Sequence, residues 1–426
     1  MSTRLTRLIL ALLCAVAGVI PANAQEGPII RARSRVVTIT DGVHLKKDYW
    51  FIMPERSPDV YYVEIPRQPH TVTFTTDVDA ISFDVTFGSR HPFIIRLADG
   101  REARTEIRTE FKQLLSPTRS GRERAGGAPA IPFTLGDNDK IYVKGRLNAG
   151  PPLDLQFDLG AGGTIVKKAS VTKARLTFDG TITLRNSDGE NAVPSSSRND
   201  LEIAGLRWSG APIAVADNMT HREDGLIGNA LFQDKVLEID YDRMLVVVHD
   251  ELPPLSGEWK RQDMFLDGGV VPFVRGVLSV GDSTRDGWFM LDTGAYTSIL
   301  NSDRLSPASK LAGEMRALFR VLDDDPHGPV LAVAGRTFSG TNYGVRRYDG
   351  DASALGLLGN DVLKRFNLIV DNRGGAAYFR PNANATASFR NPERRLAHGL
   401  VLSVVVIAGA AAWWVRRRRT VPAIQP

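Results

Sequence analysis

The sequence predicts a mainly β protein, in which a small N-terminal β-domain precedes two similar β-rich lobes and a membrane-spanning segment. Short apolar runs rich in Val, Ile, Phe and Thr alternate with polar residues and end at Gly, Pro, Asp or Asn. This pattern is typical of strands joined by turns. From about residue 131 the chain repeats itself, and an apolar segment lies near each end. These observations predict an exported β protein with an internal duplication.

The first apolar segment has the layout of a secretory signal peptide. Two arginines precede an apolar stretch from Leu8 to Ile20, and a small-residue site follows at Ala22-Asn23-Ala24. We therefore expect residues 1–24 to be a signal peptide that is removed on export. The only cysteine, Cys14, lies within it. The exported part is thus predicted to contain no disulfide, thiol nucleophile or cysteine metal site.

The second apolar segment predicts a transmembrane helix. Residues 396–415 form a nearly uncharged span, and four arginines follow at 416–419. About 20 apolar residues cross a bilayer core, and arginines collect on the cytoplasmic side. We expect residues 416–426 to be a cytoplasmic tail, with the rest of the chain anchored in the inner membrane and exposed to the periplasm or the outside. The sequence leaves open whether this anchor is permanent or a processed sorting signal.

The charges of the chain argue against a nucleic-acid partner. The chain has 53 basic and 48 acidic residues, and six of the basic ones lie in the two terminal segments. The remaining 47 basic residues balance the 48 acidic ones, so the exported part carries no excess of positive charge. Because affinity for nucleic acid depends on a basic surface, we expect no DNA or RNA partner.

The N-terminal third reads as a separate β-rich domain. Residues 25–115 contain several alternating apolar runs, and we expect one helix across Arg104 to Leu115. Residues 116–130 are rich in Ser, Gly, Arg and Pro, a composition that predicts a flexible linker. The sequence assigns this domain no function.

The remainder contains the duplication. Residues 131–256 and 257–385 carry the same landmarks in the same order, an aspartate turn, an apolar strand that ends in glycine, and a second aspartate. The first two landmarks are 70 residues apart in one copy and 67 in the other, and the last two are 12 apart in both. The landmarks are Asp158, Gly228 and Asp240 in the first copy and Asp292, Gly359 and Asp371 in the second. We therefore predict two similar lobes in tandem.

Each copy delivers an aspartate from an apolar strand into a tight turn. The turns read Asp158-Leu159-Gly160-Ala161 and Asp292-Thr293-Gly294-Ala295. If the lobes pack about a pseudo-twofold axis, the two carboxyl groups meet there, share one proton and titrate as a pair. One group can then act as general base on a water molecule while the other donates a proton. This chemistry requires no metal and no cofactor.

These turns resemble those of the aspartic proteases of the retropepsin and pepsin type. The second copy matches the family pattern throughout, including the strand Gly356-Leu357-Leu358-Gly359, whereas the first copy has leucine where the family has threonine or serine. The resemblance implies acid-protease-like β-barrel lobes that hydrolyse a peptide or protein substrate. Its catalytic residues correspond to Asp158 and Asp292, and its supporting residues to Leu159, Gly160, Ala161, Gly228, Thr293, Gly294, Ala295 and Gly359.

The leucine at 159 leaves two functions open besides proteolysis. In the family, the hydroxyl at this position braces the opposite turn, and Leu159 cannot do so. The chain could therefore be a degenerate, non-catalytic module that binds peptides in the cell envelope. A structural envelope protein that recognises its partner through the N-terminal domain is a third reading. Since both lobes lie in one chain, a monomer is sufficient to form the site.

Two further patterns complete the prediction. The seven histidines are scattered without paired spacing, so no metal site is expected. Residues 182–193 read as a β-hairpin with its turn near Gly189. The sequence does not decide whether this hairpin is a flap over the substrate.

Overall fold

The computed structural model describes residues 27–41, 44–63, 69–111, 114–119, 127–186, 189–217, 222–305, 329–339, 343–346, 354–387 and 389. The described residues are mainly β-strand, as the sequence predicts. Within these ranges, no helix combines the length and the apolar character needed to cross a membrane. The predicted signal peptide, membrane span and basic tail all lie outside them.

The N-terminal strands form two four-stranded sheets. The first sheet has the order β1-β7-β8-β4, and the second, which is antiparallel throughout, has the order β3-β2-β5-β6. The strands are β1 (Ile29–Ala32), β2 (Val36–Asp41), β3 (His44–Phe51), β4 (Asp59–Tyr62), β5 (His70–Thr75), β6 (Ala80–Val85), β7 (Arg90–Leu97) and β8 (Glu102–Arg108).

The two sheets enclose one apolar core. Phe74 of β5 and Phe93 of β7 meet edge to face, with ring centroids 5.1 Å apart. Val37 and Ile39 of β2 and Ile95 of β7 are also almost completely buried. Since alternate residues of a strand face opposite sides, one face of each sheet supplies this core. This core is separate from the one that the repeats share.

The helix predicted across Arg104 to Leu115 is wrong, because residues 102–108 form strand β8. Ala103, Thr105 and Ile107 are buried and the residues between them are not, which is the two-residue period of a strand. The charged residues that favour a helix in isolation instead form ion pairs along the sheet surface. Glu102, for example, accepts a hydrogen bond of 3.0 Å from Arg96 on the neighbouring strand. Tertiary pairing thus overrides local propensity.

Six strands of the first repeat close into a ring of pairings. β12 pairs with β11, β11 with β15, β15 with β16, β16 with β13, β13 with β17, and β17 with β12. The strands of this repeat are β10 (Ala130–Leu135), β11 (Ile141–Leu147), β12 (Leu153–Asp158), β13 (Thr164–Lys167), β14 (Gly180–Asn186), β15 (Gly189–Ile203), β16 (Leu206–Ala216), β17 (Gly225–Gly228), β18 (Val236–Asp240) and β19 (Leu245–His249). Short 3-10 turns cover Lys168–Ser170 and Asn229–Phe232.

The second repeat reuses this order, with fewer of its residues described. β22 pairs with β21 on one side and runs parallel to β27 on the other, as β12 does with β11 and β17. The elements are β20 (Lys260–Asp267), β21 (Val271–Val280), β22 (Ser283–Leu291), β23 (Ile299–Asn301), a 3-10 turn (Ser302–Arg304), β24 (Val330–Val333), β25 (Arg336–Phe338), β26 (Gly344–Arg346), β27 (Ala354–Leu358), helix α1 (Asn360–Leu363), β28 (Phe366–Asp371) and β29 (Ala376–Pro381).

A six-stranded antiparallel sheet joins the two repeats. Its order is β10-β19-β18-β28-β29-β20, and the junction is the pairing of β18 with β28. Leu237 lies opposite Val370 at this junction, and both side chains are fully buried. Backbone hydrogen bonds and one shared apolar core therefore hold the repeats together.

A short strand connects the N-terminal sheets to the first repeat. This strand, β9 (Thr118–Arg119), pairs antiparallel with Leu206 and Arg207 of β16. Just before it, the Ser116 hydroxyl donates to the Asp234 carboxylate at 2.9 Å, and Leu115 packs on the core of the repeats. Part of the segment predicted as a linker is thus attached to the first repeat, whereas residues 120–126 lie outside the described part of the chain.

Candidate active site

The first aspartate turn begins where β12 ends. Asp158 is the last residue of β12, and its Oδ1 accepts a hydrogen bond of 2.9 Å from the Gly160 N–H. β17 runs parallel beside it and ends at Gly228. A β-carbon on Gly228 would lie only 2.2 Å from the Ala161 carbonyl oxygen. Glycine at this position therefore permits the close approach of strand and turn.

The second aspartate turn has the same construction. Asp292 follows β22, and its backbone N–H donates to the Leu358 carbonyl of β27 at 3.0 Å. Its Oδ1 accepts two hydrogen bonds of 2.9 Å, from the Gly294 and Ala295 N–H groups. A β-carbon on Gly359 would lie 2.6 Å from the backbone carbon of Thr297. Each predicted glycine thus allows a strand to pack directly against the turn in its own repeat.

The two turns face each other, and their carboxyl groups come together. A β-carbon on Gly160 would lie 2.7 Å from Asp292 Cγ, and one on Gly294 would lie 2.2 Å from Asp158 Oδ2. Each glycine therefore leaves room for the aspartate of the opposite turn. The Asp158 and Asp292 carboxyl groups lie within hydrogen-bonding range of one another, and both side chains remain partly accessible to solvent.

The surroundings of the pair favour a retained proton. Burial and the negative charge of Asp292 raise the pKa of Asp158 well above its usual range. Burial also raises the pKa of Asp292, although hydrogen bonds from Asp158 and the backbone act in the opposite direction. The positive charge of Lys140 lowers the pKa of both groups and offsets part of this effect. Two such carboxyl groups titrate as a coupled pair and hold one proton between them over a range of pH.

Thr293 connects the two turns. Its hydroxyl is fully buried, accepts a hydrogen bond of 3.0 Å from the Leu159 N–H and donates one of 2.9 Å to the Phe157 carbonyl. Both partners belong to the opposite repeat and flank Asp158. A single side chain of the second turn therefore fixes the backbone on both sides of the first aspartate.

Leu159 occupies the equivalent position in the first turn and makes no such connection. Its side chain is fully buried in the apolar core of the repeats. The bracing is thus one-sided, since a hydroxyl crosses from the second turn to the first but not in return. The Thr293 hydroxyl nevertheless has one hydrogen-bond donor and one acceptor as partners. The leucine at position 159 therefore does not leave the Thr293 hydroxyl unsatisfied.

Asparagines behind the turns form a support that the sequence analysis did not identify. The Asn360 amide donates to the Thr293 carbonyl at 2.7 Å, and its oxygen accepts from the Tyr241 hydroxyl at 2.8 Å. Asn229 exchanges hydrogen bonds of 2.9 and 3.0 Å with Asn372 of the other repeat. The signal was present in the sequence, because an asparagine follows the terminal glycine of the apolar strand in both copies.

The hairpin predicted over residues 182–193 is confirmed. β14 pairs with β15 from Gly180 opposite Ser195 to Asn186 opposite Gly189. The two residues at its turn lie outside the described part of the chain. A cavity of about 600 Å³ lies beside the hairpin, lined by Phe178, Leu184 and Pro194 among others, but neither aspartate lines it.

Residue types that commonly bind metal ions do not cluster in the part of the chain that the structure describes. No group of three or more His, Cys, Asp or Glu side chains there could hold a metal ion. Asp158 and Asp292 instead have each other and backbone N–H groups as neighbours.

Comparison with known proteins shows what the first repeat and its aspartate turn are similar to. Residues 143–231 match the family described as aspartyl protease, a range that includes Asp158 and Gly228. The predicted resemblance to aspartic proteases is confirmed for this part of the first repeat. Among solved structures, the chain is similar to an aspartic proteinase from Irpex lacteus, with 12% identity and a TM-score of 0.44 over 62% of this chain and 100% of the other. A comparison with curated proteins gave no match.

Proposed function

We propose that this protein is an aspartic endopeptidase that hydrolyses peptide bonds with a water molecule held between Asp158 and Asp292. The observation that carries the proposal is the contact between these two carboxyl groups, with the pKa of each raised by burial and that of Asp158 also by its partner's charge. A pair that holds one proton supplies a general base and a general acid at the same place. The match of the first repeat to the aspartyl protease family supports the same chemistry.

The two carboxyl groups take different roles in the proposed reaction. Asp292 Oδ1 accepts two backbone N–H groups and Asp158 Oδ1 accepts one, so Asp292 is the better stabilised anion. Asp292 accepts a proton from the water molecule as the water oxygen attacks the peptide carbonyl carbon. Asp158 donates its own proton to the carbonyl oxygen. The resulting tetrahedral diol then breaks its C–N bond, and the amide nitrogen leaves with a proton returned from Asp292. Asp158 regains its proton from the diol, which leaves a carboxylic acid.

The proposed site forms within one chain. Both aspartates belong to repeats that share a continuous sheet through β18 and β28, and the Thr293 hydroxyl crosses between them. The repeats act as two β-barrel lobes related by a pseudo-twofold axis that passes between the aspartates. A dimer is not required, because no part of the proposed machinery is missing from a single copy.

The proposed location is the outer face of the inner membrane. Its support is the sequence alone, namely the signal-peptide layout of residues 1–24, the apolar span 396–415 and the four arginines after it. In this arrangement the N-terminal sheets and both lobes lie outside the cytoplasm. The substrates would then be peptides or proteins of the cell envelope.

One observation favours a second candidate, a peptide-binding module without turnover. Leu159 replaces the hydroxyl that would brace the second turn, so only the first aspartate is held from across the interface. If the second carboxyl group is held less accurately, the pair can bind a peptide and still fail to align the water. The two candidates differ in turnover and share peptide binding.

A peptide-library assay separates these candidates. The full-length protein, purified in detergent, is incubated with a diverse peptide library from pH 3 to pH 8, and new amino termini are identified by mass spectrometry. We expect cleavage with a bell-shaped pH profile, because activity needs one protonated and one ionised carboxyl group. Binding without any new termini over the whole pH range would favour the non-catalytic module.

The glycines of the aspartate turns provide a graded test of the pair's geometry. In Gly160→Ala the new methyl group would lie 2.7 Å from Asp292 Cγ, so this side chain must move. We expect kcat/KM to fall by about a hundredfold, since a displacement near 1 Å has an effect of this size. Gly163→Ala is the matched control, because nothing lies within 4 Å of its new methyl group. Equal activities of the two variants would contradict the proposed geometry.

A further inference from the structure

The strand register places a lysine beside the first aspartate. In the pairing of β11 with β12, Tyr142 lies opposite Gln156. Extending this register by two residues puts Lys140, the residue just before β11 begins, opposite Asp158 at the end of β12, so these two side chains lie on one face. The effect of Lys140 on the pKa of both aspartates is consistent with this placement, because its charge lowers both values. One side of the site therefore carries a positive charge next to the reacting groups.

The equivalent positions of the second repeat are apolar. Phe273 lies opposite Met290 in the pairing of β21 with β22, and two residues further are Val271 and Asp292. A β-carbon on Gly162 of the first turn would lie 4.0 Å from Val271 Cγ2, which places this valine beside the turn. Val271 and Met290 are partly buried and pack on an aromatic cluster distinct from the main core. That cluster consists of Phe265, Phe273, Trp288 and Ala354.

The site therefore has two unlike halves built on the same scaffold. The register equates Lys140 with Val271, Tyr142 with Phe273, and Gln156 with Met290. A substrate that crosses between the two aspartates meets a cationic, polar surface on one side and an apolar one on the other.

Lys140 retains capacity to bind a substrate. Its ammonium group donates to Gln156 Oε1 at 3.4 Å, and the Gln156 amide donates to Asp158 Oδ2 at 3.4 Å. Both hydrogen bonds are at the long end of the usual range, and an ammonium group has three donors. Within the described residues, no carboxylate forms an ion pair with Lys140. The side chain is half-buried, whereas Gln156 is almost fully buried and holds it in place.

Other charges on this face do not replace Lys140. The Arg222 guanidinium lies 4.3 Å from the centre of the Tyr142 ring, and the Glu223 carboxylate contacts the hydroxyl of the same tyrosine. These two opposite charges are adjacent in sequence. Lys140 is the cation whose charge acts on both aspartates.

We propose that Lys140, positioned by Gln156, selects substrates with an acidic side chain on one side of the cleaved bond, while Val271 and Met290 select an apolar side chain on the other. This inference rests on the proposed peptide hydrolysis and adds a substrate class to it. A carboxylate of the substrate replaces Gln156 as the main partner of Lys140, since a charge-assisted hydrogen bond is stronger than one to a neutral amide. The apolar side chain on the opposite side gains by removal from water.

The test uses peptides that vary in the two residues flanking the cleaved bond, each set to Glu, Gln, Leu or Phe. The assay is run with the full-length protein above about pH 5, where a glutamate side chain is ionised. We expect one flanking position to favour Glu over Leu by about tenfold in kcat/KM, and the other to favour Leu or Phe. In Lys140→Leu the preference for Glu should disappear, and in Lys140→Arg it should persist. In Gln156→Met it should weaken, because Lys140 loses its support.

Lys144→Leu is the matched control for loss of charge. Lys144 lies on β11, four residues after Lys140, and pairs with Asp154 at 2.7 Å, and its side chain is 73% exposed. Its replacement should leave the preference for Glu unchanged. If Lys140→Leu keeps the same ratio of Glu to Leu cleavage as the unmodified protein, or if neither position favours Glu, the inference is wrong.

A binding measurement distinguishes failure of this inference from failure of the proposed hydrolysis. The affinities of the same peptides for the Asp292→Asn protein are measured by fluorescence anisotropy. This variant keeps Lys140 and its support in the first repeat. Tighter binding of Glu peptides that disappears when Lys140→Leu is added supports the inference even if no peptide is cleaved. Equal binding of Glu and Leu peptides overturns it in either case.

Discussion

Asp158→Asn and Asp292→Asn are each expected to lower kcat/KM for peptide hydrolysis by at least about a hundredfold and to make the folded protein more stable at neutral pH. The loss of activity follows because each variant removes one member of an acid–base pair, and such catalysis contributes about 10² to 10⁴. The gain in stability follows because burial raises the pKa of both carboxyl groups. An amide at either position carries no charge and removes the cost of ionising the pair.

The sign of the stability effect depends on pH. A carboxyl group whose pKa is raised by folding favours the folded state at low pH, and this contribution is lost as the pH rises through the raised pKa. Below about pH 4, the ordinary value for aspartate, the pair is protonated in both states and the variants should have no advantage. Above that value, the free energy of unfolding of each variant should exceed that of the unmodified protein.

The stability effect is measured by thermal unfolding from pH 3 to pH 8, monitored by near-UV circular dichroism. Peptide hydrolysis by the same variants is measured in parallel. Asp154→Asn is a suitable control, since this aspartate lies on the same strand and pairs with Lys144 near the surface. It should leave hydrolysis unchanged. An Asp158→Asn protein that still cleaves peptides would contradict the shared-proton mechanism. A variant that is inactive and also less stable at pH 7 would contradict the assignment of raised pKa values.

Thr293→Val is expected to reduce the free energy of unfolding by about 2–6 kcal/mol and to lower peptide hydrolysis. Valine has nearly the shape of threonine, so the packing of this fully buried residue is retained. The Leu159 N–H and the Phe157 carbonyl, however, lose their hydrogen-bond partner. Each buried polar group left unsatisfied costs about 1–3 kcal/mol. Because both groups flank Asp158, their displacement also disturbs the carboxyl pair.

Thr293→Ser separates the hydroxyl from the methyl group. Serine can still accept from Leu159 and donate to Phe157, so hydrolysis should be largely retained and the stability loss should be smaller than with valine. Urea denaturation and kcat/KM of both variants provide the measurements. If valine and serine variants are equally stable and equally active, the hydroxyl does not brace the turns.

Much of the fold follows from local patterns in the sequence. The alternating apolar runs predict strands, and the hairpin over residues 182–193 is present as predicted. The error over residues 104–115 has a physical cause. Its Arg and Glu residues suit an exposed helix, but β8 pairs with β7 and β4, and Ala103, Thr105 and Ile107 are buried on one face of it. The alternation of charged residues with Ala103, Thr105 and Ile107 was the local signal for a strand, and pairing with distant strands decides such a segment.

The support of the site was less predictable than its centre. The aspartate turns recur with the same spacing, so the sequence alone predicted that Asp158 and Asp292 form a pair. Lys140 and Gln156 carry no motif, and only the strand register brings them beside Asp158. Asn229 and Asn360 do recur after the terminal glycines, but their partners lie more than 40 residues away in the chain.

By itself, the sequence determined that this protein is mainly β, that it is duplicated, and that each copy presents one aspartate in a glycine-rich turn. These features depend on residue type and spacing, which are local. The tertiary structure alone decided that the two carboxyl groups touch, that Thr293 braces the first turn without a return contact from Leu159, and that one side of the site is cationic and the other apolar. Such features depend on which strands pair and in what register, and they arise only when the two repeats fold onto one another.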